Sequence, residues 1–232
     1  MQFNGFSKKG IKFLEDLKVN NSKAWFEDHR HIWEETILQP NTAFVEEMGE
    51  TLQILVPTIN YRAKVGGSLF KIYRDVRFSK DKTPMKSKIG LMFWQGNGHR
   101  MKSSCFYMQY TKDEYLIAAG IRHFKTPLLS TYREYIKDEN KAKELNDILN
   151  DLKTKGYTIP EQKFKRLPRE FDKDYAYKDL ALYDAMLVRK AFAIDEEFFK
   201  FEIIDKVFAM YDELKDLQRW LYEMTLTIKD ED

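Results

Sequence analysis

Between Tyr61 and Lys102 the sequence carries eleven Lys or Arg and only two acids, Asp75 and Asp81. That is a local balance of +9 in a chain whose formal net charge is +2, so positive charge is concentrated here. Within the stretch, Arg74, Arg77, Lys80, Lys82 and Lys86 are candidates for an anion-binding surface, and Arg166 and Arg169 are later candidates for the same surface. A guanidinium grips phosphate or carboxylate with two parallel hydrogen bonds, while an ammonium adds a mobile point charge. The order of the chain leaves open whether the two basic stretches meet.

The same residues admit other chemistry. Asp75 or Asp81 could act as a base, Lys80 or Lys82 could stabilise developing negative charge, and Tyr73 or Tyr107 could supply a proton. Basic neighbours hold both carboxylates ionised, which lowers their value as acids. Catalytic residues therefore stay unassigned, with Asp75, Asp81 and Tyr73 the candidates. On a purely structural reading, Asp75 pairs with Lys71, Arg77 or a neighbouring strand, Asp81 brackets a turn through its backbone, and the block organises a sheet corner.

Phe70, Tyr73, Phe78 and Trp94 are interspersed with the basic residues, and aromatic faces stack on nucleic-acid bases. A net charge of +2 and the absence of an RNA- or DNA-binding motif favour instead a phosphorylated or carboxylated small ligand, or an acidic protein segment. His29, His31, His99 and His123 show no zinc spacing, and 66–68 forms neither a Walker loop nor a dinucleotide fingerprint, so no metal or nucleotide cofactor is implied. Cys105, the only cysteine, reads as a small buried side chain on an alternating strand. Tyr183, Met186, Leu187, Phe192, Phe198 and Phe199 would make a partner surface if exposed, and otherwise pack terminal helices.

The elements that must position these residues follow from periodicity. Residues 69–78 alternate, with Phe70, Ile72, Val76 and Phe78 on one face and Lys71, Tyr73, Asp75 and Arg77 on the other. Arg74 shares the apolar face and needs either the sheet edge or a buried acceptor. A basic turn over 79–84 leads to a second strand near 88–94, and alternation returns over 104–110 and 115–122. Four neighbouring strands with short connections predict an antiparallel meander. Gly120 marks a bulge, a close backbone approach or a small residue in a crowded sheet.

Upstream, Ser7 caps a helix whose stripe is Ile11, Leu14 and Leu17. A broad aromatic side over 23–38 and a stripe running from Phe44 to Leu55 predict two more helices. Downstream, helical pattern covers 128–136, 141–155 (with Gly156 as its stop), 180–189 and 198–225.

At 232 residues, with 43% hydrophobic and 33% charged, the chain suits an ordered soluble globule. It shows neither a basic segment followed by an apolar run near the N-terminus nor an apolar stretch long enough to span a bilayer, so a cytoplasmic location is expected and no membrane is implied. No repeat or low-complexity linker divides it. A single α+β domain over 1–232 is expected, with N-terminal helices over 1–58, a basic strand-rich core over 61–123 and a mainly helical part over 127–226.

Read together, residues 66–84, from Gly66 and Gly67 through Arg74, Asp75, Arg77, Lys80, Asp81 and Lys82 to Pro84, closely resemble the signature of the DUF2461 family. Asn21 with Trp25 and Phe26 resembles the family's N-terminal element, and 165–172, around Pro168, resembles its later basic-proline motif. Lys71 and Met85 stand where arginine and an aromatic residue are expected. The resemblance spans nearly the whole chain and implies a bacterial-type soluble domain, with Asn21, Trp25, Phe26, Gly66 and Gly67 as supporting positions. It carries no established activity.

The sequence thus predicts an α+β fold with a central, mainly antiparallel sheet of about four or more strands, flanked by N- and C-terminal helices. Its basic corner around 71–88 is expected to bind a small anionic ligand or an acidic segment. The alternatives are an enzyme acting on a phosphorylated or carboxylated substrate, or a nucleic-acid-binding or protein-interaction domain.

Overall fold

The fold is described from a computed structural model covering residues 2–228. Ser7 accepts from the Gly10 N–H and opens α1 (Lys8–Val19), as the cap signal predicts. Ser22 caps α2 (Lys23–Asp28) in the same way through the Trp25 N–H. The helix expected over 23–38 is broken at His29 and resumes as α3 (Arg30–Trp33), then passes through a π-turn at Glu34–Leu38 into α4 (Gln39–Leu52). Pro40 sits in the first turn of α4, directly after the π-turn.

The sheet has five strands in the order β1 (Ile59–Asn60), β2 (Ile89–Gln95), β3 (Cys105–Tyr110), β4 (Glu114–Ile121) and β5 (Met186–Ala193). It is the antiparallel sheet that the spacing predicts, flanked by helices from both ends of the chain. Ile89 through Trp94 of β2 are all buried, so both faces of this strand are covered. Downstream of β4 come α5 (Leu128–Tyr135), α6 (Glu139–Thr154) and, after β5, α7 (Ile203–Thr225). No helix among the described residues is long and apolar enough to cross a membrane.

Two expectations are corrected. Residues 69–78 form no regular strand. They pair only at isolated bridges, antiparallel from Leu69 to Leu91 and from Tyr73 to Met85, and parallel from Leu69 to Val65. The backbone bonds come in two groups, Phe70 N–H to Gly90 with Met92 N–H to Ser68, and Arg74 N–H to Pro84 with Lys86 N–H to Ile72. The ladder lapses between these groups, opposite Ser87 and Lys88. Burial alternates as far as Val76, but Phe78 stands 96% exposed in a turn, off the apolar face assigned to it.

The helix expected over 180–189 is instead a 3-10 turn (Lys178–Leu182) followed by β5. Met186 and Val188 are buried while Arg189 is exposed, a period of two that short apolar runs share with helices.

By contacts the chain forms two compact units. The first comprises the chain through Phe93 with Tyr107–Ile117 and Ala191–Met210. The second comprises Trp94–Phe106, Ala118–Lys190 and the chain from Tyr211 onward.

In the first unit, Phe6 packs against Phe44, Tyr110 and Phe198 at 4.6–5.2 Å between ring centroids. Buried Asn41 donates to the Tyr110 hydroxyl at 2.6 Å and to the Ile37 carbonyl at 2.7 Å. In the second unit, α6 buries Ala142, Leu145, Leu149 and Leu152 at helical spacing. Trp220 donates to the Lys141 carbonyl there at 3.0 Å. Gly120 has φ +126°, and a Cβ on it would fall 1.8 Å from the Met186 carbonyl oxygen. The glycine marks a close backbone approach of β5 to β4.

Candidate functional site

The basic corner lies in the first unit, on the irregular hairpin that 69–78 makes with 84–92. Two glycines set its entry. Gly66 has φ +82°, and a Cβ on Gly67 would meet the Arg62 carbonyl oxygen at 2.5 Å. The corner is then tied to the N-terminal helices from two sides.

The first tie is Asn21. Its side-chain amide donates to the Met85 carbonyl at 3.0 Å, and its oxygen accepts from the Met85 N–H at 2.9 Å. One side chain thus closes both backbone groups of a buried residue, as a neighbouring strand would. The second tie is Glu27, which accepts from Arg30 at 2.7 and 2.8 Å and from the Tyr73 hydroxyl at 3.0 Å. Behind it, buried Phe26 meets the Tyr73 ring edge-on at 5.6 Å. Trp25 stacks on His29 at 4.0 Å.

Inside the corner, each acid is taken by an arginine. Arg77 donates to both oxygens of Asp75, at 2.9 and 2.6 Å. Arg74 is paired with Asp81 and also donates to the Thr83 hydroxyl at 2.6 Å. This answers the need set by its place on the apolar face, because it leaves that face and reaches the turn.

Asp81 in turn accepts from the Thr83 N–H at 2.9 Å and hydroxyl at 2.7 Å, bracketing the turn. Lys82 donates to the Val76 carbonyl at 2.9 Å, and Lys86 to the Lys71 carbonyl at 2.7 Å. Lys80 is exposed and has no carboxylate partner among the described residues.

The electrostatics follow from these partners. The Arg77 guanidinium and N–H hold the Asp75 carboxyl down to about 2. The Thr83 N–H and hydroxyl, with Arg74, hold Asp81 down to about 2. Tyr73 is pushed up, first by burial and then by its bond to Glu27. Asp75, Asp81 and Tyr73 are thus held away from neutral pH, where a general acid or base works best. Burial pushes the Cys105 thiol, on β3 in the second unit, up to about 12, so it is not an activated nucleophile at neutral pH.

Arg166 and Arg169 lie in the second unit, both exposed, in the non-helical passage after α6. Of the residues proposed as a partner surface, Met186 and Phe198 are buried and Tyr183, Leu187, Phe192 and Phe199 are half-buried. Among the described residues no group of three or more His, Cys, Asp or Glu is placed to hold a metal ion.

The sequence reading missed Glu27, Arg30 and Thr83. The first two carry a signal, an acid and a base three apart on a helix that already bears Trp25 and Phe26. Thr83 carries none beyond its place in a turn.

A family model described as a conserved hypothetical protein (DUF2461) matches residues 9–220. No curated protein matches the chain.

Proposed function

The chain belongs to the DUF2461 family, and we propose that it binds a small anionic ligand, or the acidic segment of a partner, at the corner formed by residues 71–88. The observation that carries this reading is the charge left over once local pairs are formed. Seven Lys or Arg stand there against Asp75 and Asp81, and each acid is already held by an arginine. Lys71, Lys80, Lys82 and Lys88 have no carboxylate partner among the described residues, and the corner keeps a surplus of five positive charges.

Arg74 and Arg77 shape the turn, and the lysines meet the ligand. An ammonium has three donors. The backbone bond of Lys82 fixes where its nitrogen stands and leaves further donors for an anion. Asn21 and Glu27 hold the hairpin from behind, which limits the ordering cost of binding.

A thermal-shift screen of phosphorylated metabolites, dicarboxylates and acidic peptides at two salt concentrations tests this. Stabilisation by one class, reduced at high salt and lost in Lys80→Ala and Lys82→Ala, supports the reading. Equal stabilisation of wild type and variants refutes it.

One observation favours a second reading, single-stranded nucleic acid. Phe78 is 96% exposed at the basic corner, with the Arg77 guanidinium 5.9 Å from its ring centroid. A solvated ring beside lysines is a stacking platform for a base. Oligonucleotide binding that falls in Phe78→Ala, while phosphate binding does not, would select it.

A further inference from the structure

Arg133, on α5 in the second unit, is 19% exposed. Its Nε is buried without a hydrogen-bond partner. The guanidinium lies 4.8 Å from the centroid of the Phe164 ring. Its ion-pair partner is Glu170, whose Oε1 is 3.7 Å from Nη1, too far for a hydrogen bond. A largely buried cation is costly unless it is paired and hydrogen-bonded, and an orphaned buried polar atom asks for an ion or a water.

Phe164 and Glu170 bracket the segment 165–169, which contains Lys165, Arg166 and Arg169. All three are exposed, and none has a carboxylate partner among the described residues. Both ends of this basic segment rest on the same guanidinium. Arg169 is one peptide from Glu170, with its Cα about 3.8 Å away, and Arg166 is two residues from Phe164, at most about 7 Å. Flexible arginine side chains span such distances.

We infer that Arg133, Arg166 and Arg169 form a second anion site, separate from the corner at 71–88. It takes a phosphate group, and Glu170 is the internal carboxylate that the phosphate displaces. Three guanidinium groups suit a ligand with three or more acceptor oxygens and up to two charges. A carboxylate brings two oxygens and one charge, and Glu170 already offers these without making a hydrogen bond.

The test is a titration of the full chain with sodium phosphate, read on the Arg133 Nε–H signal in proton–nitrogen NMR spectra. That signal is assigned by its loss in Arg133→Lys. Sodium chloride at matched ionic strength is the control, and sodium acetate is the carboxylate arm. A saturable shift with phosphate, larger than with acetate, is expected.

Glu170→Gln, which removes the competitor, should tighten phosphate binding several-fold, an effect a merely structural carboxylate would not have. Arg169→Ala should weaken binding about tenfold, the loss of one charge-assisted contact. Lys80→Ala with Lys82→Ala should leave the signal's response unchanged, which separates this site from the corner. A response equal to that of chloride or acetate, no gain in Glu170→Gln, or loss of the response in the lysine variant would each overturn the inference.

Discussion

Replacing Asn21 by alanine removes two hydrogen bonds to one buried residue. The amide of Asn21 closes the Met85 carbonyl at 3.0 Å and the Met85 N–H at 2.9 Å, and the Met85 side chain is 1% exposed. A typical internal hydrogen bond contributes a net ~0.5–1.5 kcal/mol, and a donor left buried without a partner costs ~1–3 kcal/mol. Asn21→Ala should therefore destabilise the protein by about 2 kcal/mol.

For a chain of this length that is a fall in Tm of about 4–8 °C. The loss is local, so hydrogen exchange is the sharper assay. Protection of the Met85 amide should drop about 30-fold, the factor that matches about 2 kcal/mol. Asn20→Ala is the control, because Asn20 is exposed and its side chain bonds the Asp16 carbonyl at the end of α1, where a change of about 0.5 kcal/mol or less is expected. Equal stability of the two variants, with Met85 protection unchanged, would refute the idea that Asn21 holds the corner.

Ile72→Ala should cost about 2–4 kcal/mol and Phe78→Ala no more than about 0.5 kcal/mol in urea unfolding, because Ile72 is buried and Phe78 is 96% exposed; similar costs would restore the continuous strand. Gly120→Ala should cost about 3 kcal/mol or more, since its Cβ would strike the Met186 carbonyl at a backbone angle that alanine avoids; a variant as stable as wild type would contradict the close approach.

Carbon NMR titration should give Asp75 and Asp81 carboxyl midpoints of about 2, and Arg77→Ala should raise Asp75 towards the ordinary ~3.9. Because both folded values lie below the unfolded ones, their contribution to stability is complete above about pH 4 and fades as pH falls towards 2. Midpoints near 3.9 in the wild type would show that the pairs do not persist in solution.

What could be read from the chain depended on the range of the signal. Ser7 and the stripe of α6 act within one or two turns, so caps and periodicity placed them. The strands β2, β3 and β4 were legible because turn residues bound each alternating run. The stretch 69–78 alternates as convincingly, yet its outcome depends on Asp75 and Asp81 drawing Arg77 and Arg74 into a local turn, and no pattern of period two records such a choice. β5 was missed because Met186 and Val188 form too short a run to separate a strand from a helix. At the corner, the cations were visible as composition, while Asn21, Glu27 and Arg30 lie more than forty residues away and meet it only through folding.

The most direct test of the anion-binding account is calorimetric titration of the whole protein with pyrophosphate at low and high salt, beside the Lys80→Ala, Lys82→Ala double variant. The account expects saturable binding to the wild type that weakens at high salt, as exposed charges require, and that falls at least about tenfold in the variant. Binding of equal strength in wild type and variant, or no binding at low salt, would contradict it.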